Sequence, residues 1–87
     1  MALARFGDGA YADLKGGIIP ARALVWRAAE GWEAEVFDYN RASPHGRQRI
    51  WGPEPHPEKQ VAMRAAEAAA RQYSADQQSA VEWVEFR

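Results

Sequence analysis

Cysteine is absent from this 87-residue chain. Its absence excludes a disulfide framework, a thiolate zinc site and a cysteine nucleophile. Small domains of secreted proteins commonly depend on disulfides, whereas a small domain without them is typical of a reducing compartment. We therefore expect the protein to be cytoplasmic.

The chain also lacks an excess of either charge and any long apolar run. Eleven basic and twelve acidic side chains give a net charge of −1, so the overall charge does not steer the protein toward nucleic acid or an anionic membrane. No segment approaches the roughly 20 apolar residues of a membrane span, and the first residues lack the apolar core of a signal peptide. We expect no membrane partner.

Few residues could carry chemistry. The two histidines, His45 and His56, each lie beside a proline, and neither has a second ligand at helical or strand spacing. Ser43 is close to His45 in sequence but is separated from it by a loop proline. Residues 7–12 have the letters Gly-x-Gly-x-x-Ala, yet the next predicted strand begins too soon for a dinucleotide-binding crossover. We expect no enzymatic activity, no metal and no cofactor.

What the chain does contain is the pattern of one small domain spanning residues 1–87. Its first part, residues 1–17, is the least regular. We predict either a loosely structured arm or a short strand over 2–6 followed by one or two helical turns over 10–15, which Gly16 and Gly17 would end.

A β-hairpin follows. Residues 22–39 alternate apolar and polar side chains around Glu30 and Gly31, which predicts strands over 18–29 and 32–39. A three-residue loop ending at Gly31 would pair Trp26 with Ala34 and Leu24 with Val36, which makes one face almost wholly apolar. A two-residue loop is the alternative, and it would mix the two faces. We favour the three-residue loop, with Leu24, Trp26 and Trp32 in the core.

A third strand is predicted over 46–51, with Ile50 toward the core and Arg49 near Glu35 of the hairpin. The proline-rich stretch 52–57 would then form a corner. An alanine-rich helix is predicted over 57–73, starting with Pro57. Its inward face would consist of small side chains and Tyr73, packed against large side chains of the sheet. These inward residues are Ala62, Ala65, Ala66, Ala69 and Tyr73.

Two structures are predicted for the C-terminal residues 74–86. Ser74 to Gln77 has the form of a capping box, which predicts a short second helix. Residues 81–86 are rich in β-branched and aromatic side chains, which favours a final strand over an extension of that helix. The fold class is therefore α+β, with a small antiparallel sheet of three to four strands and one main Ala-rich helix packed on one face.

The sheet face away from the helix is the predicted functional surface. It should present arginines and aromatics beside acids: Arg27, Glu33, Glu35, Phe37, Tyr39, Arg47, Arg49 and Trp51. Such a mixture is typical of protein interfaces. The candidate partner contacts are Phe37, Tyr39, Arg41, Arg47, Arg49 and Trp51.

Three functions remain open on this basis. The first is a non-catalytic module that binds a larger protein and acts by steric occupation. In its small size, lack of cysteine and near-neutral charge, the chain resembles small phage or mobile-element proteins such as anti-CRISPR inhibitors, which implies an inhibitor of host defence. The second is a nucleic-acid-binding domain that stacks bases on the Arg/aromatic face. The third is a structural subunit that forms a homodimer through a sheet edge.

Overall fold

The computed structural model describes residues 7–38 and 48–86. Five strands and one helix follow one another along these ranges: β1 (Gly9–Leu14), β2 (Ala21–Ala28), β3 (Gly31–Asp38), β4 (Gln48–His56), α1 (Lys59–Ser74) and β5 (Val84–Phe86). The strands form one sheet in the order β4-β3-β2-β1-β5, in which neighbours are antiparallel. Helix α1 packs on one face, which confirms the α+β class.

The strand count of the prediction was too low, because β1 lies where helical turns or an irregular arm had been expected. Ala10, Ala12 and Leu14 are fully buried at every second position, while the residues between them are half-buried. A period of two is the pattern of a strand with one face in a core. Residues 1–6, over which another short strand was predicted, lie outside the described ranges.

The hairpin register is also different from the prediction. Ala28 pairs with Gly31 and Val25 pairs with Ala34, so the loop contains two residues, Ala29 and Glu30. This register places the small residues of β2 and β3 toward α1. Leu24 and Trp26, predicted to be core residues, therefore lie on the opposite face of the sheet.

The core has a centre of small side chains. Helix α1 contributes Ala62, Ala66 and Ala70, each fully buried, at a spacing of four residues. The sheet also meets them mainly with alanine and valine, from Ala10, Ala12, Ala21, Ala23, Val25, Ala34 and Val36. Larger residues pack against this centre while only partly buried: Trp32, Ile50, Trp51, Met63, Val81 and Trp83. The prediction that small side chains of the helix pack against large side chains of the sheet was therefore wrong at the centre of the core.

Strand β4 runs through the stretch that was predicted as a corner. It begins at Gln48 and continues past Pro53 and Pro55 to His56. Its pairing with β3 is irregular, because Val36 is opposite Trp51 while Phe37 is opposite Arg49. This irregularity brings Trp51 against the core together with Ile50, whereas strict alternation had predicted Trp51 on the other face.

Helix α1 begins two residues later than predicted, at Lys59, with Glu58 as its N-cap residue. Its buried face is rotated from the predicted one toward Ala70 and Ser74. Tyr73 is consequently exposed, and its hydroxyl donates a hydrogen bond of 3.0 Å to Asp38. This bond raises the pKa of Tyr73 above its ordinary value.

After α1 the chain turns rather than entering a second helix. Ala75 has a left-handed conformation that ends α1, and residues 76–83 form turns and irregular backbone. A final strand is present, but it covers only Val84–Phe86 of the predicted 81–86, and it pairs with β1 there. Within residues 7–38 and 48–86, no helix has the length and apolar character needed to cross a bilayer.

Candidate functional site

The sheet surface opposite α1 is called the distal face here. Alternation along the paired strands assigns to it Tyr11, Asp13, Arg22, Leu24, Trp26, Glu33, Glu35, Phe37, Arg49, Val84 and Phe86. Among the described helices and strands, none packs over this face. It combines aromatic and charged side chains on a framework of five hydrogen-bonded strands.

Three aromatic rings form a cluster near the β5 edge of the distal face. The centroid of Phe86 lies 5.2 Å from that of Trp26 in an edge-to-face arrangement and 6.3 Å from that of Tyr11. Gly9 is paired with both Trp26 and Phe86. A Cβ atom at Gly9 would lie 2.5 Å from Cζ of Phe86, so the absence of a side chain there leaves the space that the ring fills.

Arg22 connects this cluster to a carboxylate. Its Nε and one terminal nitrogen donate to the two oxygens of Asp13 at 2.6 and 2.9 Å. Its guanidinium carbon lies 4.1 Å from the centroid of Tyr11. A planar guanidinium favours both contacts at once, bidentate pairing with a carboxylate and stacking on an aromatic face. The positive charge of Arg22 is therefore balanced within the face itself.

A second charge pair lies farther across the face. Glu35 is only 1% exposed. One of its oxygens accepts a hydrogen bond of 3.1 Å from Nε1 of Trp26, and the other accepts one of 3.1 Å from Arg49. The predicted proximity of Arg49 and Glu35 is confirmed. A buried carboxylate requires such donors, because an unpaired charge would lose its hydration without compensation.

The structure brings together some of the predicted contact residues. Phe37 and Arg49 lie on the distal face directly opposite each other in register. Trp51 packs against the core instead, and Arg27 lies at the other face, where it pairs with Asp8 at 3.2 Å. Tyr39, Arg41 and Arg47 lie outside the described residues, as do Ser43 and His45.

The aromatic cluster was missed by sequence reasoning. Tyr11 was assigned to an irregular or helical segment, and Trp26 was assigned to the core by the wrong register. The available signal was the alternation in residues 9–14, where small or apolar residues at even positions surround Tyr11 and Asp13. Phe86 was correctly placed in a strand, but its contacts with Tyr11 and Trp26 could not be predicted without β1, the strand beside it.

Apart from the distal face, the described residues also form a depression beside the hairpin turn. This shallow depression of about 500 Å³ at the end of the hairpin is lined by the turn 28–31, Trp32, Glu33 and the stretch 55–57. His56 lies in it, and its Nε2 is 2.9 Å from a carboxylate oxygen of Glu54. Within the described ranges, no three side chains of histidine, aspartate or glutamate come together as a metal site.

The irregular segment after α1 is organised by one acid. One oxygen of Asp76 accepts hydrogen bonds from the backbone N–H groups of Gln78 and Ser79, at 3.1 and 2.9 Å. The other accepts bonds from the Ser79 hydroxyl and from the backbone N–H of Gly16, the latter at 2.9 Å. These donors, Ser79 above all, lower the pKa of Asp76 to about 2. The arrangement joins the β1–β2 loop to the end of α1.

Comparison with known proteins gives no further guide. The chain matches no protein-family model, no curated protein and no solved structure.

Proposed function

We propose that this protein is a non-catalytic binding module that acts sterically, by occupying a surface of a larger protein with its distal face. The observation that carries the proposal is the cluster of Tyr11, Trp26 and Phe86 on a sheet face over which no described helix or strand packs. Tyrosine, tryptophan and arginine dominate the binding energy of protein interfaces. The three rings are each partly exposed, and exposed apolar patches commonly mark interaction sites.

The charges of the distal face favour a protein over a nucleic acid. Arg22 and Arg49 are engaged with Asp13 and Glu35. Binding a phosphate would require breaking these pairs or placing the phosphate beside carboxylates, which repel it. A protein surface can instead use the aromatic rings and keep both charge pairs intact.

The small size of the domain fits a steric mechanism. The Cα radius of gyration is 12.4 Å, so the distal face could cover a standard interface of about 800 Å² on a partner. Small size, lack of cysteine and near-neutral charge support the most specific form of this proposal, a phage-type inhibitor of a host defence complex that is similar in style to anti-CRISPR proteins.

Affinity capture from a host lysate tests the proposal. The tagged protein is incubated with and without nuclease, and the recovered proteins are identified by mass spectrometry. We expect one stoichiometric protein complex that survives nuclease. Its affinity should change little between about 50 and 200 mM salt, a range over which phosphate-dominated binding falls by about 10³–10⁵.

Variants then locate the surface. The double variant Tyr11→Ser/Phe37→Ser should weaken capture at least about tenfold. The matched control Val61→Ser changes a partly exposed residue on α1, on the other side of the molecule, and should bind as the wild type does. Recovery of nucleic acid alone, or equal weakening by both variants when both are folded, would contradict the proposal.

A further inference from the structure

The two edges of the sheet differ in their capacity to pair with another strand. The β4 edge contains Pro53 and Pro55, which have no backbone N–H to donate and commonly protect edge strands. The β5 edge consists of Val84, Glu85 and Phe86, without proline. No described strand pairs with the outer side of β5. Pairing with a further strand is therefore favoured at β5.

Strand β5 is complementary to itself. Val84 and Phe86 lie on the distal face, and Glu85 points to the helix side, where it contacts Lys59. If two copies of β5 pair antiparallel about Glu85, Val84 of each copy is opposite Phe86 of the second copy. Apolar cross-strand pairs of this kind stabilise a sheet. A shift of the pairing by one residue would oppose Val84 to Glu85 and lose this match.

The charges near this edge are compatible with the same arrangement. Pairing about Glu85 brings two carboxylates close to the symmetry axis, and each carries its own Lys59 ammonium group. The result is two ion pairs side by side rather than two bare acids. The aromatic clusters of both copies would also become neighbours across the axis, because Phe86 belongs to each of them.

We propose that the partner of the β5 edge is a second copy of this chain, paired antiparallel about Glu85 in a two-fold dimer with a continuous ten-stranded sheet. The inference is independent of the proposed function, because it concerns the edge and needs no other protein. The pairing strand has three residues, so the interface is small and the dimer should be weak and concentration-dependent.

Sedimentation velocity tests association directly. From about 10 μM to about 1 mM, the range of weak association constants, the wild type should shift from monomer to dimer. Val84→Lys places a charge opposite Phe86 of the second copy, and its dimer should dissociate about tenfold more readily. Val61→Lys is the matched control, since Val61 is 36% exposed and Val84 43%. A monomer throughout the range would overturn the proposal, as would a dimer that Val84→Lys leaves unchanged.

The absence of cysteine allows the register to be tested independently. Directly opposite residues of an antiparallel pair have Cα atoms about 4.5–5.5 Å apart, within the range of a disulfide. Glu85→Cys should therefore crosslink two copies under mild oxidation, and Val61→Cys should not. Equal crosslinking of both variants, or none by Glu85→Cys, would overturn the two-fold pairing even if Val84→Lys failed to fold.

Discussion

At the scale of single residues, Asp76 shows how one carboxylate can organise irregular backbone. Its two oxygens accept bonds from residues that follow it and from Gly16, which is distant in sequence. Gly17 approaches the same region so closely that a Cβ atom would lie 2.1 Å from the carbonyl oxygen of Ser74. The β1–β2 loop is thereby fixed to the end of α1.

The lowered pKa of Asp76 gives a pH-dependent contribution to stability. Because the pKa in the folded state is about 2 and the ordinary value is 3.8, the ionised form stabilises the fold above about pH 4, and this stabilisation is lost as the pH falls toward 2. We expect Asp76→Asn to be less stable than the wild type at pH 7, with a gap in unfolding free energy that narrows by pH 3.

Urea unfolding at both pH values measures this gap. Glu30→Gln is the matched control, because it removes an exposed carboxylate of the hairpin turn. A difference between Asp76→Asn and the wild type that stays constant or widens toward pH 3 would contradict the assigned role.

Also at the residue scale, some side-chain contacts could be predicted from the sequence and others could not. The proximity of Arg49 and Glu35 followed from placing the third strand antiparallel beside the hairpin, and it is confirmed at 3.1 Å. The bond from Trp26 to Glu35 was not accessible, because the assumed register put the two side chains on opposite faces. An error of one position in a hairpin changes the face of every residue in the strand.

At the scale of elements, the types of α1, β2 and β3 were predictable from the sequence, whereas their bounds and buried faces were less so. Helix α1 and strands β2 and β3 appear where hydrophobic periodicity placed them. Strand β1 was not predicted from the sequence, because its inward residues are mainly alanine and give only a weak period-two pattern of hydrophobicity. The stretch 52–57 was misread because prolines usually end a strand, whereas an edge strand tolerates them.

Gly52 is the residue on which the course of β4 depends. Its φ is +88°, and a Cβ atom there would lie 2.3 Å from the carbonyl oxygen of Ala34. We expect Gly52→Ala to destabilise the protein by about 1–3 kcal/mol, since alanine would meet both backbone strain and this close approach. Chemical denaturation measures the loss, with Gln48→Ala, an exposed site on the same strand, as the control. An unchanged midpoint for Gly52→Ala would show that β4 takes a different path.

At the scale of the whole molecule, the distribution of large side chains follows from the small residues on α1. Alanine at the helix–sheet contact lets the helix lie close to the sheet, and the narrow space is filled by the alanines and valines of the strands. The β2–β3 register that brings these small residues to the helix places Leu24 and Trp26 on the distal face. The same packing that makes the core small thus supplies the aromatic surface of the proposed function.

This packing predicts that the same substitution will destabilise the fold at one alanine of α1 and leave stability nearly unchanged at another. Ala66 is fully buried against the sheet, whereas Ala68 is exposed. Ala66→Leu should destabilise the fold by about 1–3 kcal/mol, because the added carbons must push α1 away from the sheet. Leucine and alanine have similar helix propensities, so Ala68→Leu at the exposed position should change the free energy of unfolding by less than about 0.5 kcal/mol. Thermal unfolding of the two variants would decide between a close contact and a loose one, since equal midpoints would mean that α1 and the sheet leave room for a larger side chain.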